Sequence, residues 1–325
     1  MRGLFCELPP CDLGRSRWST SDPGGFLRFV LNAGPVRLTA TIHLTTENTR
    51  IDLLGEIVII RPCRTALPKN GYLWQAALKA HVTIRVYGEL ENVWNPFGRG
   101  TNAAKLVAEM SDRRYVGWNL NYSDLDRARE WRREFDAFIR DGALPQFEFV
   151  WLPNDHTAGS RVGKLTPVAY AAQNDYATGL IVDAISHSPI WHSSAVFITE
   201  DDAQNGPDHV SDQRTTFFIA SPFARGGLHH GHYATTSIVR AMESLLGLAA
   251  LSTYDATATP LDDAFSTVAD FTPFDAVAPR VSITDLNAPS AFGARVSAAF
   301  NLQRPDAVDP SVLNAILADN LSEAR

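Results

Sequence analysis

From Pro68 onward the chain alternates between two hydrophobic periods, and this alternation limits the fold more than any other feature of the sequence. The stretch "GYLWQAALKAHV" places Leu73, Ala76, Ala77, Ala80 and His81 at helical spacing, and "TIRVYGE" after it alternates as a strand. "SDLDRAREWRREFDAFIRDGALP" is expected to be a helix with an apolar face of Ala128, Trp131, Phe135 and Phe138, opened by Ser123 or Asp124 and closed by Gly142 and Pro145. "QFEFVWLP" reads as a buried strand, "TPVAYAAQNDYATGLIVDAISHS" as a long helix and "SAVFITE" as a short strand. "RTTFFIASPFA" is then a strand ending at proline, and "ATTSIVRAMESLLGL" a helix closed by glycine. Elements in this order imply an α/β fold built on a mainly parallel sheet with helices on both faces.

Residues 1–66 depart from this pattern. They hold all three cysteines, Cys6, Cys11 and Cys63, and eight arginines against six acidic residues, whereas the rest of the chain is acidic. Their apolar runs are short, strand-like and irregularly punctuated, which predicts an atypical, weakly structured segment over 1–66. The α/β domain is expected over 67–325, with a helical tail at its end. The spacing of Cys6 and Cys11, with no Cys/His pair after them, does not fit a zinc knuckle. A net charge of -7 without a basic cluster argues against nucleic-acid binding and suits cations better. No apolar stretch approaches the roughly 18 to 20 residues of a membrane span. The start "MRGLFCELPPCDLGRSRWS" has charge and proline where the apolar core of a signal peptide would be, so none is expected in this chain and its location stays open.

In open α/β sheets ligands gather at the carboxyl ends of strands. Three polar loops fall there: "LPNDHTAG" after "FEFVW", "EDDAQNGPDHV" after "AVFIT", and "GGLHHGHY" a turn beyond "FFIAS". Together they offer Asp155, His156, Glu200, Asp201, Asp202, His209 and His230 as candidate metal ligands, with His229 and His232 beside the last. A mixed oxygen and nitrogen set without cysteine suits Zn, Mn, Fe or Mg. Two such ions about 3.5 to 4 Å apart would serve phosphoryl transfer by clamping the attacking and leaving oxygens. Each loop taken alone has a plainer reading: "EDD" as solvated charge, "NDHT" as a helix cap, "HHGHY" as exposed loop, and His43, His81, His187 and His192 as surface or helix-end residues. A calcium loop starting at Asp201 fails, because Ala203 falls at its third position and Asp212 at its twelfth, where Glu is expected.

The motifs "LPNDHTAG", "AAQNDYATGLIVDAISHSPIW", "VFITEDDAQNGPDHVSDQRTTFFIASPFARGG", "HYATTSIVRAMESLLGL" and "STYDATATPL", in this order, resemble the bacterial phosphoesterase family of acid phosphatases and phospholipases C, within the alkaline phosphatase superfamily. "NGYLWQAALKAHVTIRVYGE" and "RPDAVDPSVLNAIL" extend the resemblance to residues 68–318. It implies a three-layer α/β/α sandwich of alkaline phosphatase type and metal-dependent hydrolysis of phosphate mono- or diesters. Its relatives are often exported. By position, Asp201 with Glu200 or Asp202 matches the acidic metal ligands after a central strand, Asp155 and His156 the site near the earlier strand, and His209 or His230 the remaining histidine. Family members also begin with a strand ending in a metal-binding Glu-Asn pair, followed by a Ser or Thr nucleophile. Here only Glu47 and Asn48 offer such a pair, and no nucleophile loop follows them. The resemblance therefore implies an N-terminal portion that is missing or replaced; Thr157 or Thr199 could stand in for the hydroxyl, though both also read as capping or strand residues. A catalytically silent metal-binding or interaction domain is the alternative.

Overall fold

The computed structural model describes residues 26–33, 36–44, 49–52, 71–88, 109–200, 214–303 and 307–323. The chain divides into two compact units, Met1–Cys63 and Arg64–Arg325. In the first, strands β1 (Phe26–Ala33), β2 (Val36–Leu44) and β3 (Thr49–Asp52) form an antiparallel sheet in that order, with Phe26 opposite His43 and Thr41 opposite Asp52.

The second unit is mixed α/β with small sheets. It contains helix α1 (Leu73–Lys79), strand β4 (Ile84–Tyr87), helix α2 (Asp124–Asp141) and strand β5 (Phe147–Val150). Helix α3 (Pro167–Ser186), strands β6 (Val196–Thr199) and β7 (Phe217–Ala220) and helix α4 (Thr235–Leu245) follow. Short helices α5 (Thr253–Ala256) and α6 (Ala294–Ser297) and a final helix α7 (Pro310–Glu323) complete it.

Local chemistry explains why the helices begin and end where they do. Ser123 caps α2 by accepting the Leu125 N–H at 3.0 Å, Asp124 and Asp126 sit in its first turn, and Gly142 closes it in the left-handed conformation at φ 64°. Thr166 caps α3 through the Ala169 N–H at 3.2 Å, with Pro167 as its first residue. Helix α1 ends in a Schellman motif: the Val82 N–H reaches the Ala77 carbonyl at 2.9 Å and the His81 N–H the Leu78 carbonyl at 3.0 Å. His81, in the position usually given to glycine, is held at φ 60°.

Strands β4 and β5 pair in parallel, with Ile84 opposite Phe147 and Tyr87 opposite Val150. The crossover between them contains α2, as a parallel pair requires. The period of two sends Ile84, Val86 and Phe147 to one face, where they meet Leu73 and Ala77 of α1 and Met242 of α4. Tyr87 and Val150 pack on the other face, against Ala128, Trp131 and Phe135 of α2 and Ala177, Ile181 and Ala184 of α3. Helices thus cover both faces of this pair. Strands β6 and β7 differ from the expected parallel arrangement: they are antiparallel, with Val196 opposite Ala220 and Thr199 opposite Phe217. The linking sequence "DDAQNGPDHVSD" contains Gly206-Pro207 and no helical apolar period. A parallel pair needs a crossover connection, usually a helix, and this sequence carries no pattern for one.

Candidate functional site

The carboxyl end of β5 runs into a tight turn in which Pro153–His156 forms one 3-10 turn. Asp155 is exposed on this turn and His156 is half-buried. What fixes the turn lies underneath it. Asp124, Arg127 and Asn154 are 0, 0 and 1% exposed. The Arg127 guanidinium donates to the carbonyls of Val116, Gly117, Asn119 and Tyr122, to Asp124 Oδ1 at 2.8 Å and to Asn154 Oδ1 at 3.0 Å. Asp124 Oδ2 accepts the Asn154 N–H at 3.1 Å and Asn174 Nδ2 at 3.0 Å. Burial raises the Asp124 carboxyl above the usual range, while Arg127 and the amide donors oppose that shift. Asn174 also donates to the Leu152 carbonyl at 2.7 Å and reaches Asp155 Oδ1 at 3.4 Å, so helix α3 braces the same turn.

The turn leaves through a strained residue. Thr157 has φ 61° and ψ 170°, a region populated almost entirely by glycine, and is 3% exposed. Its N–H reaches the Asn154 carbonyl at 3.0 Å and its hydroxyl accepts the Gly159 N–H at 3.1 Å. Gly159 is at φ 58°, and a Cβ there would lie 2.8 Å from Ser297 Oγ and 2.9 Å from the Phe300 ring. Asn287 holds the Gly159, Arg161 and Leu165 carbonyls from the far side. Strain of this kind, costing about 1–3 kcal/mol, persists where surrounding contacts over-determine it, and it clusters at ligand sites.

His156 stands edge-on to Trp118, with ring centroids 4.8 Å apart, and Trp118 stacks with Trp151. Its Nδ1 lies 3.4 Å from the Thr157 carbonyl oxygen. A carbonyl only accepts, so this contact places the proton on Nδ1 and leaves the Nε2 lone pair as the ligating nitrogen. That is the chemistry a metal-binding imidazole needs.

The other predicted ligands fall as follows. Glu200 is exposed just past β6, where Oε1 accepts the Thr216 hydroxyl at 3.3 Å. His230 is exposed on the loop beyond β7. Asp201, Asp202 and His209 lie outside the described residues, as do Glu47 and Asn48. Among the described residues, Asp155, His156, Glu200 and His230 form no group of three with ligand atoms within 4.8 Å of one another. The three residues that do are Asp183, His187 and Asp275. They could hold a metal ion. The sequence reading put His187 at a helix end without a role; the i, i+4 spacing of Asp183 and His187 was its one visible signal. Asp275 had none, since it comes from an irregular segment distant in the chain. The Asp124–Arg127–Asn154–Asn174 network was also missed, apart from Asp124 as a helix opener.

No protein-family model and no curated protein matches the chain.

Proposed function

We propose that the second unit is a metal-dependent phosphoesterase, hydrolysing phosphate mono- or diesters on a three-layer α/β/α scaffold of alkaline phosphatase type. The observation that carries this reading is the turn after β5: Asp155 and His156 sit at the carboxyl end of a parallel strand, on a strained backbone anchored by a buried ionic network. Preorganised polar groups in that position are what metal-assisted catalysis requires. His156 Nε2 and the Asp155 carboxylate are one part of the ligand set, and Glu200, Asp201, Asp202, His209 and His230 are the candidates for the rest. Zn, Mn, Fe or Mg bound there would polarise the phosphoryl oxygen and activate the attacking oxygen. The chain's own contribution is to hold the imidazole in one tautomer and to keep the turn rigid.

A second reading, a silent metal-binding domain of the same descent, draws support from the hydroxyls. Thr157 is buried with its oxygen engaged by the Gly159 N–H, and the Thr199 hydroxyl donates to the carbonyls of Glu200 and Thr216, so among the described residues neither hydroxyl is hydrogen-bonded to a carboxylate or imidazole that would activate it as a nucleophile. Hydrolysis of p-nitrophenyl phosphate and its bis ester with Mn or Zn separates the two. Turnover abolished by chelator, by His156→Ala and by Asp201→Ala supports the enzyme. Metal bound at this centre without turnover would leave the silent domain as the surviving reading.

A further inference from the structure

We propose that Asp183, His187 and Asp275 form a transition-metal clasp that fastens the end of α3 to the segment carrying Phe274, Asp275 and Ala276, separate from the turn after β5. His187 is the residue that ends α3, and Asp183 lies one helical turn before it. The opposing segment is already tied to this helix end. The Phe274 N–H donates to Ser186 Oγ at 2.9 Å, and the Ala276 N–H donates to Asp183 Oδ2 at 2.9 Å. Asp275 is therefore held on both flanks while its side chain stays 88% exposed.

The orientation of the ring decides what can sit between these groups. His187 Nδ1 lies 3.0 Å from the Asp183 carbonyl oxygen and 3.5 Å from Asp183 Oδ1. Both are acceptors, so Nδ1 carries a proton and Nε2 is the nitrogen left to ligate. Nε2 faces Asp275 Oδ1 at 3.4 Å. Two electron-rich atoms opposed at that distance call for a positive centre between them, either a proton or a metal ion. A zinc ion with bonds of about 2.0–2.1 Å to nitrogen and about 2.0–2.2 Å to oxygen would span such a gap at an angle of about 110°, the tetrahedral value. The Asp183 carbonyl and carboxylate on Nδ1 then supply the outer partner that fixes the tautomer and orientation of a ligating imidazole. Among the described residues neither carboxylate is paired with lysine or arginine. One imidazole with carboxylate favours Zn, Co or Ni over Mg or Ca, and water completes the exposed side.

The test is calorimetric titration of the full chain with Zn²⁺ and with Co²⁺ at neutral pH, on wild type, His187→Gln, Asp275→Asn, Asp183→Asn and His156→Ala. One binding event should vanish in His187→Gln and Asp275→Asn, weaken about tenfold in Asp183→Asn, and persist in His156→Ala. Zinc should also raise the melting temperature of wild type and leave that of His187→Gln without this increment, with both melts recorded first in metal-free buffer to establish that the variants fold. Asp275 is exposed enough for its variant to fold whatever His187→Gln does. If wild type takes up neither metal, or if His187→Gln and Asp275→Asn bind with unchanged stoichiometry and affinity, the gap is closed by a proton alone and the clasp is wrong. Loss of binding in His156→Ala alone would report on the centre after β5.

Discussion

Replacing Arg127 with methionine tests whether the turn bearing Asp155 and His156 depends on the ionic network beneath it. The substitution keeps much of the side-chain volume and removes every donor. The Val116 and Gly117 carbonyls lose the guanidinium, those of Asn119 and Tyr122 keep only the Tyr122 N–H and Asn154 Nδ2, and Asp124 keeps its position with no cation. Breaking a buried pair by removing one partner costs about 3–5 kcal/mol, because the remaining charge is left uncompensated. Relative to a folded state stabilised by about 5–15 kcal/mol, that is a large fraction. With a urea m-value near the upper end of about 1–3 kcal/mol per molar, the midpoint should fall by about 1–2 M. Tryptophan fluorescence is a suitable probe, since Trp118, Trp131 and Trp151 lie in or beside this region. The double variant with Asp124→Asn should cost less than the sum of the two single changes, because the stranded charge is gone. An Arg127→Met midpoint within about 0.3 M of wild type would refute the reasoning, since the cited m-value makes that less than about 1 kcal/mol.

Two further outcomes follow from the same geometry. Burial pushes the Glu148 carboxyl up to about 7, the Glu134 charge adds to it, and Trp131 Nε1–H and Arg85 oppose it; among the described residues Glu148 Oε1 has no hydrogen-bond partner. A carboxyl raised above its unfolded value stabilises the fold in its protonated form. That contribution is therefore present at acidic pH and lost as pH rises from the unfolded value of about 4.3 through the folded value of about 7. Unfolding free energy measured from pH 4.5 to 8 should fall by about 1–3 kcal/mol for wild type and stay flatter in Glu148→Gln, which keeps an acceptor for Trp131; an equal slope in both would contradict this. His81→Gly should raise stability by about 1 kcal/mol, because glycine occupies φ 60° without the Cβ clash that histidine carries there, and a thermal melt no higher than wild type would count against it.

How much of this was legible in the sequence varied with the range of the interaction. The opening Ser123, the closing Gly142 and the strands of the second unit follow from neighbours a few residues apart, and the end residues and the hydrophobic period recorded them. Arg127 shows where that reading stops. Its spacing from Asp124, Ala128 and Trp131 puts it on the inward face of α2, but a charged residue in an apolar register reads as a solvent-facing one unless its partners are known. Those partners are mostly backbone carbonyls of residues 116–122, and no side-chain pattern encodes a carbonyl. The segment carrying Asp275 is the extreme case. It runs along α3 without regular structure, pinned where the Ser186 hydroxyl and the Asp183 carboxylate accept the Phe274 and Ala276 N–H groups, where Gln173 Nε2 meets the Ile283 carbonyl at 3.3 Å, and where the Thr166 N–H meets the Asp285 carbonyl at 2.8 Å. A chain whose backbone groups are satisfied by a neighbouring helix's side chains and end groups has no period of its own. The placement of Asp275 beside His187 could therefore come only from the folded arrangement, whereas the position of Asp155 and His156 after a strand was written in the local pattern.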